Sequence, residues 1–310
     1  MKLDSKIINT GGAYKMTYLT HFTYPTANQE SDFICGIQGT SYNTFYPFRV
    51  LSARNRGLER LDFEPITVLY GGNGSGKSTA LNIIAEKLEI KRESIYNKSN
   101  FYPNYVNMCK AKLNGNLPTT SRIITSDDVF DHMLNIRSLN EGIDQKREEI
   151  FKDYLDTKNK KLQMQSLEDY EQLSKIVKAR SQTQSKYVQG ELMGNIAEYS
   201  NGESAFMYFT ERIAENSLYI LDEPENSLSP KYQIELAQFI EDSVRFYGCQ
   251  IIMATHSPFL LAMRGAKVYD LDESPAKVKK WTELENIRIY HEFFSKQKQS
   301  YETSSPPFQA

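Results

Sequence analysis

Cysteine is scarce in this chain of 310 residues: only Cys35, Cys109 and Cys249 occur, far apart in sequence. Neither a disulfide framework nor a zinc site is indicated, and a reducing cytoplasm fits best. Long hydrophobic runs are missing as well. No stretch approaches the ~18 consecutive apolar residues that a membrane helix needs, and the N-terminus carries no secretory apolar region, so no membrane insertion is expected. Charge of one sign is equally lacking: 37 Lys and Arg stand against 39 Asp and Glu, for a formal net charge of −2 and a pI near 6.2. That balance argues against a strongly basic, sequence-independent nucleic-acid binder, while leaving room for a local basic face. No internal repeat is visible.

What is present begins with a hydrophobic content of 40%, enough for a sizeable core in one large domain or two small ones. The apolar stretch Ile66–Tyr70 runs into Gly71-Gly72-Asn73-Gly74-Ser75-Gly76-Lys77-Ser78-Thr79, and a helical pattern follows from Ala80 to Lys87. Strand, glycine-rich turn and helix together make a nucleoside triphosphate cradle. The glycines let backbone N–H groups curl around phosphates without Cβ clashes, and the helix start supplies an anion site. In the spacing Gly71, Gly76, Lys77, Ser78, the lysine is expected to reach the β/γ-phosphates and the serine hydroxyl to ligate Mg²⁺.

Three later segments narrow the choice among phosphate-loop proteins. The apolar strand Ser217–Leu221 ends in Asp222-Glu223-Pro224. Asp222 fits a carboxylate that holds Mg²⁺, and Glu223 fits a general base that polarises the attacking water. Adjacent strand residues point to opposite faces, so a turn must bring both acids to the phosphates. Upstream, Ser200-Asn201-Gly202-Glu203 opens an amphipathic run and forms an S-x-x-E capping box. A capped helix N-terminus is also the device that receives a γ-phosphate, so the two readings are compatible. Downstream, the strand Gln250–Ala254 ends in Thr255-His256-Ser257-Pro258, where the histidine is placed to bond a γ-phosphate and sense its loss.

Taken together, residues 46–80 and 199–275 resemble the soluble ABC-type ATPases of the RecF, SMC and OLD-like group, above all the small bacterial "AAA family ATPase" proteins that are a head domain and little else. The lead Tyr46-Pro47-Phe48-Arg49-Val50 and the trailing Val268-Tyr269-Asp270-Leu271-Asp272-Glu273 also look like that group. The resemblance implies an α/β P-loop NTPase of the ABC type, with a mixed sheet core, an N-terminal antiparallel β layer and an inserted helical lid. It identifies Ser200–Glu203 with the signature motif, and Glu225–Pro230 with the D-loop that links the two sites of a dimer. The implied mechanism is a homodimer with ATP between the Gly71–Thr79 loop of one copy and the Ser200-Gly202-Glu203 helix start of the other. ATP then closes the dimer, and hydrolysis by water activated at Glu223 opens it.

Departures from the pattern are plain. Asn201 stands where the signature usually has glycine, and no glutamine occurs where a Q-loop should follow the first lobe. Arg122–Asp128 reads either as a Q-loop with Asp127 in place of glutamine or as a helix start capped by Ser126 with two acids in its first turn. No adenine-stacking aromatic is assigned between Tyr46 and Phe48.

Domain boundaries follow the composition. Residues 1–125 and 196–300 are expected to form the ATPase core, 126–195 the inserted lid, and 301–310, with Ser304–Pro307, a disordered tail. From Arg137 to about Gln189 the chain is charged and free of proline, reading as helices with an exposed face, with Glu148–Lys152 and Glu171–Lys175 at i,i+4 spacing. A coiled coil there is no more than a stub. Lys158–Lys161 is a candidate contact for nucleic acid or a partner, or simply a solvated turn. Tyr14–Leu19 and Phe33–Ile37 are predicted strands, Lys277–Thr282 a last strand, and Asn286–Lys298 a closing helix.

Three functional expectations remain. The leading one is a stand-alone cytoplasmic ATPase acting in DNA repair or antiphage defence through a nucleic-acid or protein partner. A second is the ATP-binding subunit of an ABC transporter, disfavoured by the missing Q-loop glutamine. The third is the ATPase of an OLD-like nuclease system with the nuclease on another chain, because the chain beyond Asp270-Leu271-Asp272 is too short for such a domain.

Overall fold

The computed structural model describes residues 17–37, 44–52, 57–159, 170–181, 183–189, 192 and 200–298. The first part of the chain runs β1 (Leu19–Thr23), α1 (Ala27–Gly36), β2 (Arg60–Asp62), β3 (Ile66–Tyr70), α2 (Lys77–Lys87), α3 (Tyr102–Met108), β4 (Lys110–Leu113) and β5 (Arg122–Thr125). Helices α4 (Ser126–Asn159), α5 (Tyr170–Ser181) and α6 (Gln184–Gln189) follow. The remainder runs α7 (Asn201–Arg212), β6 (Leu218–Asp222), α8 (Pro230–Phe246), β7 (Gln250–Ala254), α9 (Pro258–Leu261), β8 (Ala266–Asp270), β9 (Lys277–Lys279) and α10 (Glu285–Lys296).

Two sheets organise these elements. The larger has the order β5-β6-β7-β3-β8-β9, parallel throughout except for the β8–β9 pair. Every residue of β3 and β7 is buried. Their sequences, Ile-Thr-Val-Leu-Tyr and Gln-Ile-Ile-Met-Ala, are the near-continuous apolar runs that a parallel strand covered on both faces requires. The smaller sheet is antiparallel, in the order β2-β1-β4. This is the α/β P-loop NTPase architecture of the ABC type, with the expected mixed sheet and small antiparallel layer.

Gln250 is the one polar side chain at the start of β7, and it joins the two sheets. Fully buried, its Oε1 accepts from Tyr18 N and Leu19 N, each at 2.8 Å, while its Nε2 donates to Leu19 O at 2.9 Å. One amide thus replaces several rungs of a ladder between strands of different sheets. Such a group is tolerated in a core only when its polar atoms are paired.

Local corrections have local causes. Phe33–Ile37 is not a strand: Phe33 to Gly36 lie in α1, which a Thr26–Gln29 capping box starts, and Phe33 stacks on Phe48 at 4.7 Å. The Arg122–Asp128 segment is a strand followed by a helix start, capped one residue earlier than expected. Thr125 N donates to Asp128 Oδ2 at 2.7 Å, and Asp128 N donates to Thr125 Oγ1 at 3.3 Å. The last strand stops at Lys279 and gives way to a 3-10 turn, Trp281–Glu283.

The chain divides into two compact units, Met1–Val129 with Ala205–Ala310, and Phe130–Ser204. In the second, Tyr154, Ala179 and Tyr187 form a small buried cluster with Ile150 packed against it. The remaining expectations, a strand over Tyr14–Met16, the Lys160–Lys161 part of the basic turn and the 301–310 tail, fall outside the described residues. Replacing Gln250 with leucine strands two buried amides of the first sheet. We expect a loss of about 2–4 kcal/mol of unfolding free energy, read from the urea midpoint at unchanged m-value.

Candidate functional site

The glycine run leaves the carboxyl end of β3 and enters α2. Gly76 caps that helix at φ 91, a left-handed conformation that glycine adopts without strain. Gly71 is needed for closeness instead, since a Cβ there would meet Ser75 Oγ at 2.7 Å. Residues Asn73, Gly74, Ser75, Gly76, Lys77, Ser78 and Thr79 line a cavity of about 320 Å³ with Val50 and Glu223. Gly71 and Gly72 do not line it. Their carbonyls hold Lys77, whose Nζ donates to Gly71 O at 2.8 Å and Gly72 O at 3.3 Å and lies 2.9 Å from His256 Nε2. Burial pushes the Lys77 pKa down, and the nearby acids, led by Glu223, oppose that shift.

The two adjacent acids reach the site by a backbone turn. Asp222 ends β6 and accepts from Ser78 Oγ at 3.0 Å. Glu223 sits at φ 50, ψ 53, left-handed, with its amide donating to Ala254 O at 2.9 Å. That conformation is costly for a residue with a side chain and is found where structure imposes it. It solves the opposite-face problem: Glu223 Oε1 lies 3.8 Å from Lys77 Nζ and 3.6 Å from His256 Nε2.

Their environments push the two carboxyls apart. Asp222 keeps a little solvent contact but is ringed by protein, and burial lifts its pKa to about 6 against the Ser78 bond. Glu223 is held down to about 2, first by His256, against burial, with help from the Asn226 amide and Lys77. Asn226 Nδ2 donates to Glu223 Oε2 at 3.0 Å. His256 Nε2 lies 3.6 Å from Glu223 Oε1 and 2.9 Å from Lys77 Nζ, so the position of its ring proton decides which of the two it bonds. Glu225 Oε1 accepts from the His256 amide, fixing the second residue after β7 to the turn after β6.

A second, larger cleft of about 730 Å³ adjoins the acids, lined among others by Tyr46, Asn82, Arg92, Ser94, Thr125, Ser126, Asp127, Asp222 and Glu223. Tyr46 OH is bonded to Thr79 Oγ1 at 3.2 Å. Phe48 is buried in the core, so of the two aromatics left open by the sequence only Tyr46 faces the cleft. Arg92 lies 3.7 Å over the Tyr96 ring and donates to Asn82 Oδ1 at 3.0 Å.

Ser200 belongs to the other unit and caps α7: its Oγ accepts from Glu203 N at 3.4 Å and its carbonyl from Ser204 N at 2.9 Å. Gly202 and Glu203 lie in the first turn. Asn201, the departure from the signature pattern, accepts from Arg137 Nη2 at 2.6 Å. In the D-loop segment Leu228 is buried and its carbonyl accepts from Gln233 Nε2 at 2.9 Å.

Sequence reasoning missed Arg92, which carries no motif, and named Glu225 and Asn226 only as part of the D-loop segment, without their contacts to the His256 amide and Glu223. It noticed Asp270 and Asp272 for a different reason, and the structure gives their carboxylates different partners. Asp270 binds Lys279 Nζ at 2.8 Å and Asp272 binds Gly72 N at 2.7 Å. Among the described residues no group of three acids, histidines or cysteines converges as a metal site. The Ser78 hydroxyl and the Asp222 carboxylate do fit Mg²⁺, being hard oxygen donors beside a phosphate cradle, with the carboxylate short of solvation.

Phosphate loop, strand-end acids and post-strand histidine on this sheet define a P-loop NTPase of the ABC type. A family model described as "AAA domain, putative AbiEii toxin, Type IV TA system" matches residues 116–262. That is just under half of the chain; it includes Ser200–Glu203, Asp222, Glu223 and His256 and leaves Gly71–Thr79 outside. No curated protein matches the chain. Among solved structures, similarity extends to an inward-facing putative metal-chelate type ABC transporter, with 15% identity, TM-score 0.40 and coverage of 89% of this chain and 90% of that one. The SMC head domain from Pyrococcus furiosus, bound to the C-terminal domain of ScpA, gives 13%, 0.36, 76% and 94%. An ATP-binding cassette in a dimeric post-hydrolysis state with ADP and Pi gives 17%, 0.36, 72% and 88%. With TM-scores under 0.5, none of the three bears on function. Among the described residues no helix is long and apolar enough to cross a membrane.

Asp222 supplies a pH-dependent test. Its folded pKa, about 6, lies above the ordinary 3.8, so its ionised form opposes folding fully above pH 6, and the penalty fades as pH falls toward 4. We expect Asp222→Asn to raise the unfolding temperature of nucleotide-free protein by about 2–4 °C at pH 7.5. The gain shrinks through that window in a calorimetric pH series.

Proposed function

We propose that the chain binds Mg-ATP in the Gly71–Thr79 cradle and hydrolyses it, and that two copies close over the nucleotide. The observation that carries this reading is the convergence of Lys77, Glu223 and His256 within 4 Å of one another, beside the Ser78–Asp222 pair. Amides from Asn73 to Thr79 and the Lys77 ammonium would take the phosphates. Ser78 and Asp222 would hold Mg²⁺, which neutralises charge on the β/γ-phosphates when bound.

Glu223, ionised at any physiological pH, would hold and polarise the attacking water. With so weak a base, positioning outweighs complete proton removal, and slow turnover suited to a switch follows. His256 would exchange its Lys77 contact for the γ-phosphate and register its loss. The Ser200-Gly202-Glu203 helix start would meet the γ-phosphate of the other copy, so ATP stabilises the closed dimer through contacts that exist only there.

The cellular setting we infer is defence or genome maintenance with a nucleic-acid or protein partner in the cytoplasm. The match to a family described by a putative toxin of a toxin–antitoxin system supports the first of these. No feature of the site favours a transporter subunit.

Light scattering decides the switch. Glu223→Gln should shift from monomer to dimer on adding Mg-ATP, and Lys77→Ala should not. An unchanged mass in Glu223→Gln, despite bound nucleotide, would remove the dimer from the proposal.

A further inference from the structure

We propose that Asp272 is a positioning residue for the phosphate loop. By accepting the Gly72 amide it holds the first turn of the loop in the shape that receives a triphosphate. This rests on the nucleotide-binding reading above and adds a residue from the far end of the chain to it.

The argument begins with the ladder between β3 and β8. Tyr70 pairs with Asp270, and Leu271 N donates to Tyr70 O at 2.8 Å as the last backbone rung. Beyond it the two chains part, because the loop must curl over its phosphate site. The next rung is made by a side chain: Asp272 Oδ2 accepts from Gly72 N at 2.7 Å. A short carboxylate thereby extends strand pairing into a segment that cannot remain a strand.

The carboxylate is itself braced. Asp272 N donates to Asp270 Oδ1 at 3.0 Å, and Asp270 Oδ2 accepts from Lys279 Nζ at 2.8 Å. On the loop side, a Cβ on Gly71 would come within 3.2 Å of Asp272 Oδ1 and 2.7 Å of Ser75 Oγ, so loop and acid are in close register. The carbonyls of Gly71 and Gly72 are taken by Lys77, and the Gly72 amide by Asp272. The first turn is thus pinned, its carbonyls by Lys77 and the Ser75 amide and its Gly72 amide by Asp272, and it is the fixed foot from which the amides further along the loop are aimed. Such ordering, made before the ligand arrives, appears as affinity.

A negative side chain beside a phosphate site could instead repel the ligand. Asp272 is exposed, so its charge is screened, and the hydrogen bond is the larger effect. The exposure also means that substitution leaves the core alone.

The test compares Asp272→Ala and Asp272→Asn in the full chain. The readouts are binding of a fluorescent ATP analogue with Mg²⁺, steady-state hydrolysis, and hydrogen exchange of the Gly72 amide in nucleotide-free protein. We expect Asp272→Ala to raise Kd and KM about tenfold with kcat within about twofold, and to expose the Gly72 amide to exchange. Asp272→Asn, whose Oδ1 still accepts, should return to within about twofold of the parent. Equal affinity in parent and Asp272→Ala overturns the proposal while leaving the ATPase reading intact. Tighter binding in both variants overturns it in favour of a charge brake. A parent protein that binds no Mg-ATP overturns both.

Discussion

A lysine ammonium that is 4% exposed has to be met by acceptors, and the rest of the site is arranged around that demand. Lys77 takes its partners from the ends of three neighbouring strands: the Gly71 and Gly72 carbonyls after β3, His256 after β7 and Glu223 after β6. Those strands lie side by side in the order β6-β7-β3, all parallel, so their carboxyl ends open on the same edge of the sheet. Sheet order is what lets residues far apart in the chain neutralise one charge. In an open α/β sheet that edge is where ligands bind, and the same geometry that buries the cation creates the phosphate site.

Around this cation the two acids of β6 take opposite roles. Asp222 loses solvent and gains only the Ser78 hydroxyl, so its charge is poorly supported and ready for a cation. Glu223 is surrounded by His256, Asn226 and Lys77 and stays ionised. The left-handed backbone at Glu223 is the structural cost of aiming both at one place, and Glu223 N to Ala254 O, with Glu225 to His256 N, hold the strained turn against β7. The segment after the acids thus works as a clamp between the base and the histidine.

The signature segment obeys simpler local rules. Ser200 caps α7 through Glu203 N, and Asn201 occupies the glycine position because its side chain has a partner in Arg137. A polar side chain there is tied within its own unit rather than projecting as an extra obstacle.

Much of this was legible in order of residues. The glycine-lysine-serine spacing, the apolar runs of β3, β6 and β7 and the acids and histidine at their ends are one-dimensional patterns. They identified the fold class and named the residues that the structure gathers around Lys77, because backbone conformation and burial act over a few residues at a time. Phe33–Ile37 misled for the same reason: its apolar character fits a strand, while the Thr26 cap seven residues before Phe33 decides otherwise. Thr125 and Ser126 are chemically near equals as caps, and only the reach of Asp128 chose between them. What tertiary structure alone decided were the partnerships across the sheet: Gln250 with Leu19, Glu225 with the His256 amide, Asp272 with Gly72. Hydrogen bonds of this kind depend on distances set by strand order and register, which no local pattern encodes, and so the sequence determined the parts while packing determined which of them touch.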